Sequence, residues 1–272
     1  MLKRPGGINI AFIVLVVGAL ICSWVAAAQT NFVFSPLRAR QLTGMKVEDA
    51  DGQKAGTVRN LVLDAHAGEL RYVIISSGGF LGVRPTLKVA PIQIMSTATT
   101  KRQTLAINVS TTHWRNAPAF HYSELAKIAE PNQTAEIARY FQVPPRPAPA
   151  PSLSKTGHEE SSATRQVEFR LANEIIGTRV VNQKQEKIGE VLDLLVSFGE
   201  PHPALAIIST GRLFHYDRQY AVPLQALTRS NGKCVLDADI TALQQAPVFD
   251  KTAWNSIGET SHAIYRYVTP TD

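Results

Sequence analysis

One apolar and glycine pattern occurs twice in this chain, at a constant offset of 133 residues. The stretch GTVRNLVLDAHAGELRYVIISSGG (56–79) returns as GEVLDLLVSFGEPHPALAIISTGR (189–212). Over the 35 residues that begin at Gly44, ten are identical to their counterparts, whereas about two matches are expected from average residue usage. After a one-residue shift, APIQIM (90–95) also matches VPLQAL (222–227). The chain is therefore predicted to contain two copies of one domain.

Each copy consists of short, β-like segments that turn residues separate. Asp51-Gly52 is a typical turn pair, and Leu105, Ile107 and Val109 alternate as a half-buried strand requires. Five or six short strands without a long intervening helix do not fit a parallel α/β sheet. The expected fold class is mainly β, with two small antiparallel β-barrels in tandem, because closing a barrel leaves no exposed edge strands.

Short helices are predicted after each barrel. In the first copy, YSELAKIAE (122–130) has a serine before an acidic first turn and is expected to stop at Pro131. TAEIARYF (134–141) follows with apolar residues at helical spacing, and IYRYV (264–268) repeats that pattern in the second copy. We expect these segments to lie on the barrel surface or to plug one end of the barrel.

A proline-rich linker separates the copies. The stretch VPPRPAPAPSLSKTGHEESSATR begins with closely spaced prolines and continues with small polar residues, which cannot bury an apolar face. The predicted organisation is an N-terminal segment at 1–28, a first domain at 40–142, a linker at 143–168 and a second domain at 169–268.

The N-terminus has the order of a secretory signal. Lys3 and Arg4 precede an apolar run (8–25) and Ala26-Ala27-Ala28, which suits signal-peptidase cleavage after Ala28. The apolar run is also long enough for an uncleaved membrane anchor, so both alternatives stay open. Either one places the remainder outside the cytoplasm, because positive flanking charge stays on the cytoplasmic side. A periplasmic location is the expectation.

Cysteine content and charge narrow the class of partner. The chain has two cysteines, and only Cys234 lies outside the signal segment, so we predict a buried small hydrophobic residue rather than a disulfide. The formal net charge of +6 is mild. No run of Lys and Arg interleaved with aromatic residues marks a nucleic-acid surface, so nucleic acid is not an expected partner.

The order of motifs in both copies resembles the PRC-barrel family, known from the photosynthetic reaction centre H subunit and a ribosome maturation factor. The resemblance rests on LTGMKV or IIGTRV, DGQKAGTVRNLVLD or QEKIGEVLDLLVS, YVIISSGGFLGV or LAIISTGRLFHY, and KVAPIQIM or YAVPLQAL. The second copy departs where GGFLG becomes GRLFH and where the DG turn becomes Lys184-Gln185. The resemblance implies partner-binding barrels, often in membrane complexes or RNA assemblies, and no catalytic residues.

No motif for catalysis, cofactor binding or metal binding is present in the sequence. GGFLG (78–82) lacks the Lys-Ser/Thr and the helix of a phosphate loop, and no G-x-S-x-G elbow occurs. None of the seven histidines pairs with another ligand at metal-site spacing. We therefore predict a protein that is not an enzyme, with no cofactor. The residues expected to shape the fold are Gly44, Gly56, Gly78, Gly177, Gly189, Gly211, Pro91 and Pro223.

Two similar modules on one chain can bind a symmetric partner, or two partners, with avidity. The predicted function is an exported adaptor or stabilising subunit at the periplasmic side of a membrane complex. Exposed aromatic residues are the usual anchors of such contacts, and the candidates are Phe80, Trp114, Phe214, Tyr216 and Trp254. A place in the core is the alternative for each of them. The alternative is a small-ligand-binding or hydrolytic envelope protein with its site between the barrels. Whether the barrels dock, and the oligomeric state, are left open by the sequence.

Overall fold

The computed structural model shows two β-sheets, one for each copy. The described residues are 37–78, 86–97, 104–144, 168–198, 204–211 and 218–236. In the first copy the strands are β1 (Leu37–Arg38), β2 (Lys46–Glu48), β3 (Lys54–Asp64), β4 (Glu69–Ser77), β5 (Thr86–Pro91), β6 (Met95–Thr97), β7 (Thr104–Ile107) and β8 (Ala119–Phe120). In the second copy they are β9 (Phe169–Leu171), β10 (Arg179–Val181), β11 (Lys187–Val196), β12 (Leu205–Ser209), β13 (Gln219–Pro223), β14 (Leu227–Ser230) and β15 (Lys233–Leu236).

Helical elements are short and lie mainly after the first sheet. The α-helices are α1 (Ala39–Leu42), α2 (Thr111–Arg115), α3 (Pro131–Tyr140) and α4 (Ala172–Ile175). The 3₁₀ helices are Ile92–Ile94, Tyr122–Ala129 and Leu224–Ala226. Between Tyr122 and Tyr140 the sequence therefore forms a 3₁₀ helix and then an α-helix. Pro131 begins the second helix. Proline suits the first helical position because the N–H that it lacks would have no hydrogen-bond partner within the helix there.

The two sheets share one strand order. The first runs β6-β7-β2-β3-β4-β5-β8, and the second runs β13-β12-β11-β10-β15-β14. Most pairs are antiparallel, but β2 pairs with β7 and β10 pairs with β15 in parallel. The prediction of a mainly β fold in two tandem copies is confirmed. The sheets are mixed rather than purely antiparallel, because each contains one parallel pair. The parallel pairs arise because a long excursion through the sheet separates their strands, as parallel pairing requires.

The hydrogen-bonded path does not close within the residues that the structure describes. It nevertheless curls strongly, because the three residues of Ile92–Ile94 connect β5 at one side of the order to β6 at the other. Pro91 ends β5 at this corner, and Pro223 ends β13 before the equivalent 3₁₀ turn. Proline suits these positions because it has no backbone N–H, and the last residue of a strand does not have to donate one to the neighbouring strand.

Glycine permits close strand contact at equivalent positions of the two sheets. A Cβ on Gly56 would collide with the carbonyl oxygen of Ser76, and a Cβ on Gly189 would collide with that of Ser209. These two glycines lie inside β3 and β11. Each marks a place where a neighbouring backbone crosses without room for a side chain.

The apolar residues of both copies form one contiguous core. It includes Leu61 and Ile75 from the first sheet and Leu194 and Ile208 from the second, all of them fully buried. Helix α3 adds Ile137 to this core, so the predicted packing of the helical segment on the barrel holds in the first copy. The counterpart at 264–268 lies outside the described residues, as do the signal segment 1–28 and most of the linker 143–168.

Candidate functional site

The two copies dock by exchanging their opening segments. Strand β1 of the first copy pairs with β11 of the second, and β9 of the second copy pairs with β3 of the first. The registers are equivalent, because Leu37 opposes Val196 just as Arg170 opposes Leu63, 133 residues apart in both cases. Such reciprocal contacts are those of a two-fold symmetric dimer interface, here contained in a single chain. The question of docking is thereby answered.

A β-bulge places one buried polar side chain at the centre of each half of this interface. The register of β3 shifts between Val58 and Asn60, and that of β11 shifts at the equivalent place before Asp193. Oδ1 of Asn60 accepts a hydrogen bond from the Asn173 amide at 3.4 Å, and Oδ1 of Asp193 accepts one from the Arg40 amide at 3.2 Å. A bulge turns a side chain away from strict alternation, which lets these residues reach the exchanged segment.

The two halves of the interface differ in charge. Asp193 is fully buried, and its Oδ2 accepts a hydrogen bond from Nε of Arg38 at 2.9 Å. At the equivalent place, Nδ2 of Asn60 donates to Oδ1 of Asn173 at 2.7 Å. An ion pair thus holds one half, whereas a neutral amide pair holds the other.

A groove on the first copy provides the second candidate surface. One row of paired residues crosses β3, β4, β5 and β8, since Thr57 opposes Ser76, Ser76 opposes Leu87, and Leu87 opposes Phe120. The groove above this row has a volume of about 780 Å³. Its lining residues are Thr43, Gly44, Thr57, Val58, Arg59, Ser76, Leu87, His121, Tyr122 and Ser123.

The groove has an apolar floor and a polar rim. Val58 and Leu87 are buried beneath it, whereas Arg59 and Tyr122 are exposed. Tyr122 retains 59% of its surface exposure, the largest apolar side chain exposed in the described part of the chain. No lining residue is a carboxylate, and within the described ranges Arg59 forms no hydrogen bond or ion pair. The rim is therefore cationic and has no internal anion.

The 3₁₀ helix Tyr122–Ala129 forms one wall of the groove. Its start is fixed because Oε2 of Glu124 accepts a hydrogen bond from the His121 amide at 2.9 Å, which is half of a capping box. This bond and the Lys127 ammonium hold the pKa of Glu124 below its ordinary value. Ile128 is buried beneath the helix, so the exposed Tyr122 stands on an anchored segment.

Of the five aromatic residues predicted as partner contacts, the structure describes one, Trp114. Trp114 is buried, and its Nε1 donates to the Ala55 carbonyl oxygen at 2.9 Å, so it belongs to the core and the expectation of an exposed contact is wrong for it. An indole buried with its N–H satisfied is a favourable core residue. The other four predicted contacts lie outside the described residues: Phe80, Phe214, Tyr216 and Trp254.

Lys88 is a buried amine that sequence reasoning missed. Its Nζ donates to the carbonyl oxygens of Trp114 and Arg115 at 2.6 Å each and lies 5.6 Å from the Trp114 ring centroid. These carbonyls end helix α2, where a positive charge is favourable. Burial lowers the pKa of Lys88 below its ordinary value. The lysine thus fixes α2 to β5 and has no open side for a ligand.

The remaining predicted fold residues lie at turns. Gly44, Gly78, Gly177 and Gly211 adopt positive φ angles of 93°, 77°, 87° and 61°. Cys234 is buried in β15, as predicted, and burial raises the pKa of its thiol. Among the residues that the structure describes, no group of three or more His, Cys, Asp and Glu side chains could hold a metal ion. Within the same residues, no helix combines the length and apolar character needed to cross a membrane.

The residues that form the interface and the groove carried a weak sequence signal. Asn60 and Asp193 occupy equivalent positions and interrupt apolar runs, which indicates a specific polar contact without identifying the partner. Arg59 and Tyr122 are far apart in sequence, and only the pairing of β5 with β8 brings their segments to one groove.

Two similar, strongly curled sheets in one chain define a tandem protein of small β-barrel type. A family model described as the PRC-barrel domain matches residues 36–109 and 168–245, together more than half of the 272 residues. The chain therefore belongs to the PRC-barrel domain family, with two tandem copies. No curated protein matches this chain. The matched segments contain both exchanged strands, whereas His121, Tyr122 and Ser123 of the groove lie beyond the first segment.

Proposed function

We propose that this protein is a non-enzymatic, exported adaptor or stabilising subunit that binds protein partners at the periplasmic side of a membrane complex. The observation that carries the proposal is the reciprocal exchange of β1 and β9 between the copies. It joins two sheets into one body with one continuous core. A body of this kind presents two related outer surfaces at a fixed separation and orientation.

Fixed geometry favours simultaneous binding at two surfaces. When one module binds, the second is already close to its own contact, so its binding becomes intramolecular and the combined affinity rises. Ordering costs are also low, because the exchange has already immobilised the two modules relative to each other. The ion pair of Arg38 with the buried Asp193 and the amide pair of Asn60 with Asn173 supply this rigidity.

Charge supports a partner of complementary sign at the first copy. Residues 37–144 contain 13 Lys and Arg against 8 Asp and Glu, whereas residues 168–236 contain 8 against 7. The basic excess is thus concentrated in the copy that has the groove. Charge complementarity increases association rates and selects against partners of like charge.

Recovery of partners from cells tests this proposal. The full chain with a C-terminal affinity tag is cross-linked in the bacterium that encodes it, purified from membranes and analysed by mass spectrometry. We expect a defined set of envelope proteins that an unrelated exported bait of similar size does not recover. Recovery of the same proteins by both baits would contradict the adaptor function.

A matched variant tests whether the fixed geometry matters. The variant Asn60→Ala removes the buried polar contact in one half of the interface and substitutes no residue of the outer surfaces. We expect weaker recovery of the same partners. Strong thermal stabilisation of the wild type by a metal ion or a small metabolite would instead support the ligand-binding alternative.

The proposed export has its own test. Mass determination of the protein from the envelope fraction gives the first residue of the mature chain. A chain that begins at Gln29 corresponds to a cleaved signal, and a chain that begins at residue 1 corresponds to an anchor. Recovery of the protein only from the cytoplasmic fraction would contradict the proposed location.

A further inference from the structure

We infer that the groove beside Arg59 is a docking site for an extended, acidic segment of a partner protein, with a carboxylate flanked by apolar side chains. This inference rests on the proposed adaptor function and assigns one of its contact surfaces. The groove consists of the row Thr57, Ser76 and Leu87, with Arg59 and Tyr122 at the rim.

The β-bulge explains why Arg59 is available. Strand β3 aligns Val58 with Ile75 and Asn60 with Ile74, so Arg59 is the extra residue that no β4 residue opposes. The bulge turns Asn60 into the docked interface and leaves Arg59 exposed at the groove rim. A bulge that re-aims side chains beside a binding surface is a recurrent feature of β-proteins.

The charge of the rim defines the chemistry of the occupant. Arg59 has no acidic partner among the described residues, and the groove lining contains no carboxylate. An arginine presents a planar fork of donors that matches a carboxylate with two hydrogen bonds. The hydroxyls of Thr57 and Ser123 add neutral groups at the lining that can donate to the same ligand.

The floor and Tyr122 account for the apolar part of the ligand. Val58 and Leu87 offer an apolar base, and the exposed ring of Tyr122 stands at its edge. Tyrosine and arginine are the residues most enriched at the energetic centres of protein interfaces. A ligand with only charge would leave this apolar surface uncovered.

The open rim favours a segment of a larger partner. Thr43, Arg59, His121, Tyr122 and Ser123 are all exposed, so an occupant is covered on one side only. A small molecule usually buries most of its surface in its pocket. An anionic membrane surface usually requires a cluster of several Lys and Arg side chains, whereas the groove lining contains Arg59 as its one Lys or Arg.

The second copy gives an internal control for this assignment. Counterparts 133 residues later replace Arg59 by Leu192, Thr57 by Glu190 and Thr43 by Ile176. The bulge is preserved at Leu192, so the position tolerates leucine without loss of the fold. The second copy therefore lacks the cationic rim, and we assign acidic-segment binding to the first copy alone.

Fluorescence anisotropy with the full chain tests the inference. The probe is a fluorescein-labelled octapeptide of alternating Asp and Leu, and the comparison peptide has Lys in place of Asp. We expect the acidic probe to bind and the lysine peptide not to bind. Binding of the acidic probe should weaken as salt is raised, because screening shortens the range of the attraction.

Variants at the rim make the test specific. Arg59→Glu should weaken binding of the acidic probe by about tenfold, because it replaces attraction by repulsion of similar size. Arg59→Leu copies the second domain and should weaken it several-fold, and Tyr122→Ala should also weaken it. Lys54→Glu is the matched control, because Lys54 is exposed on the same strand and does not line the groove. The affinity of Lys54→Glu for the acidic probe should stay within about twofold of the wild-type value.

Three outcomes would overturn the assignment. They are no binding of the acidic probe, equal binding by the wild type and Arg59→Glu, and an Arg59-dependent loss of binding to phosphatidylglycerol vesicles without any effect on the peptide. The adaptor function is judged separately by partner recovery from cells. If Arg59→Glu recovers the same partners as the wild type, the groove is excluded while the adaptor function stands.

Discussion

The two copies have the same strand order and the same bulge, but they use the bulge differently. In the first copy it presents Arg59 to the groove and the neutral Asn60 to the interface. In the second it has Leu192 at the outer position and the charged Asp193 at the interface. The two copies thus share the bulge, but the first has a positive charge at the outer residue and the second has a negative charge at the inner residue.

Separation of the copies gives the largest expected effect. A chain that starts at residue 168 lacks the β1 segment that pairs with β11, and its own β9 has no β3 to join. We expect this fragment not to remain a stable monomer and to form a homodimer by exchanging β9, since equivalent segments can pair with equivalent strands. Light scattering after size exclusion measures the mass.

A monomeric fragment that melts at the same temperature as the whole chain would contradict the exchange. The fragment 37–144 supplies the reciprocal control, because it keeps β1 but lacks β9. Mixing the two fragments should restore a one-to-one complex.

Asp193→Ala should be the most damaging of the single substitutions at the interface. The change leaves the Arg40 and Leu194 amides without their acceptor and removes the ion pair with Arg38. We expect a loss of about 3 kcal/mol in the free energy of unfolding. Asn60→Ala in the other half should lose only about 1 to 2 kcal/mol, because both groups of the lost pair are neutral.

Asp193→Asn sharpens this comparison, because it gives the second copy the residue that the first copy has. The amide oxygen can still accept the hydrogen bonds of the backbone amides. The loss in the free energy of unfolding, measured by urea denaturation, should therefore be smaller than for Asp193→Ala. Equal losses for the two Asp193 variants would show that the charge alone, and not the accepting oxygen, stabilises this half.

Gly56→Ala and Gly189→Ala should have similar effects in the two copies. Each new Cβ meets the carbonyl oxygen of a neighbouring backbone, which must move. We expect about 2 kcal/mol of destabilisation at each position. Circular dichroism during thermal unfolding measures both variants. Gly52→Ala is the control for backbone strain alone, because Gly52 has a φ of 73° and nothing lies near its added Cβ. A neutral result at either glycine would contradict the close strand contact.

Lys88→Met should have the smallest effect, about 1 kcal/mol at neutral pH, because two carbonyl oxygens lose their donor while a buried charge is also removed. Burial lowers the pKa of Lys88 below 10.5 in the folded state, so the unfolded chain binds more protons at this residue between the two values. The stability of the wild type relative to the variant should therefore increase as the pH rises toward 10.5.

Urea unfolding of both proteins across this pH range measures the difference. A difference that falls with increasing pH would show that the buried ammonium is stabilised more by its carbonyls than it is penalised by burial. Tyr220 occupies the counterpart position in the second copy, where the buried side chain is neutral.

The repeat made much of the fold predictable. The constant offset aligned Gly56 with Gly189, and both proved to lie where strands cross closely. The alternation of Leu105 and Ile107 correctly indicated a strand, now β7. The parallel pairing of β7 with β2 was not predicted, because a strand pattern records which face is buried and not which neighbour lies beside it.

The strand exchange could not be deduced from the sequence for a physical reason. Since the copies resemble each other, the opening segment of either one has nearly the same local preference for β3 as for β11. The sequence also could not assign Trp114 to the core or to a binding surface, because an aromatic residue suits both places. The hydrogen bond from its indole N–H to the Ala55 carbonyl oxygen places it in the core.

The exchange also sets an order of events for the growing polypeptide. The first sheet gains its β9 strand only after Phe169–Leu171 has been synthesised. In this pair Asp64 of β3 lies opposite Phe169, more than a hundred residues later in the chain. Contacts of such long separation form slowly. Neither half can reach its final state while the other is missing, so any cut, pause or truncation in one half is felt by both.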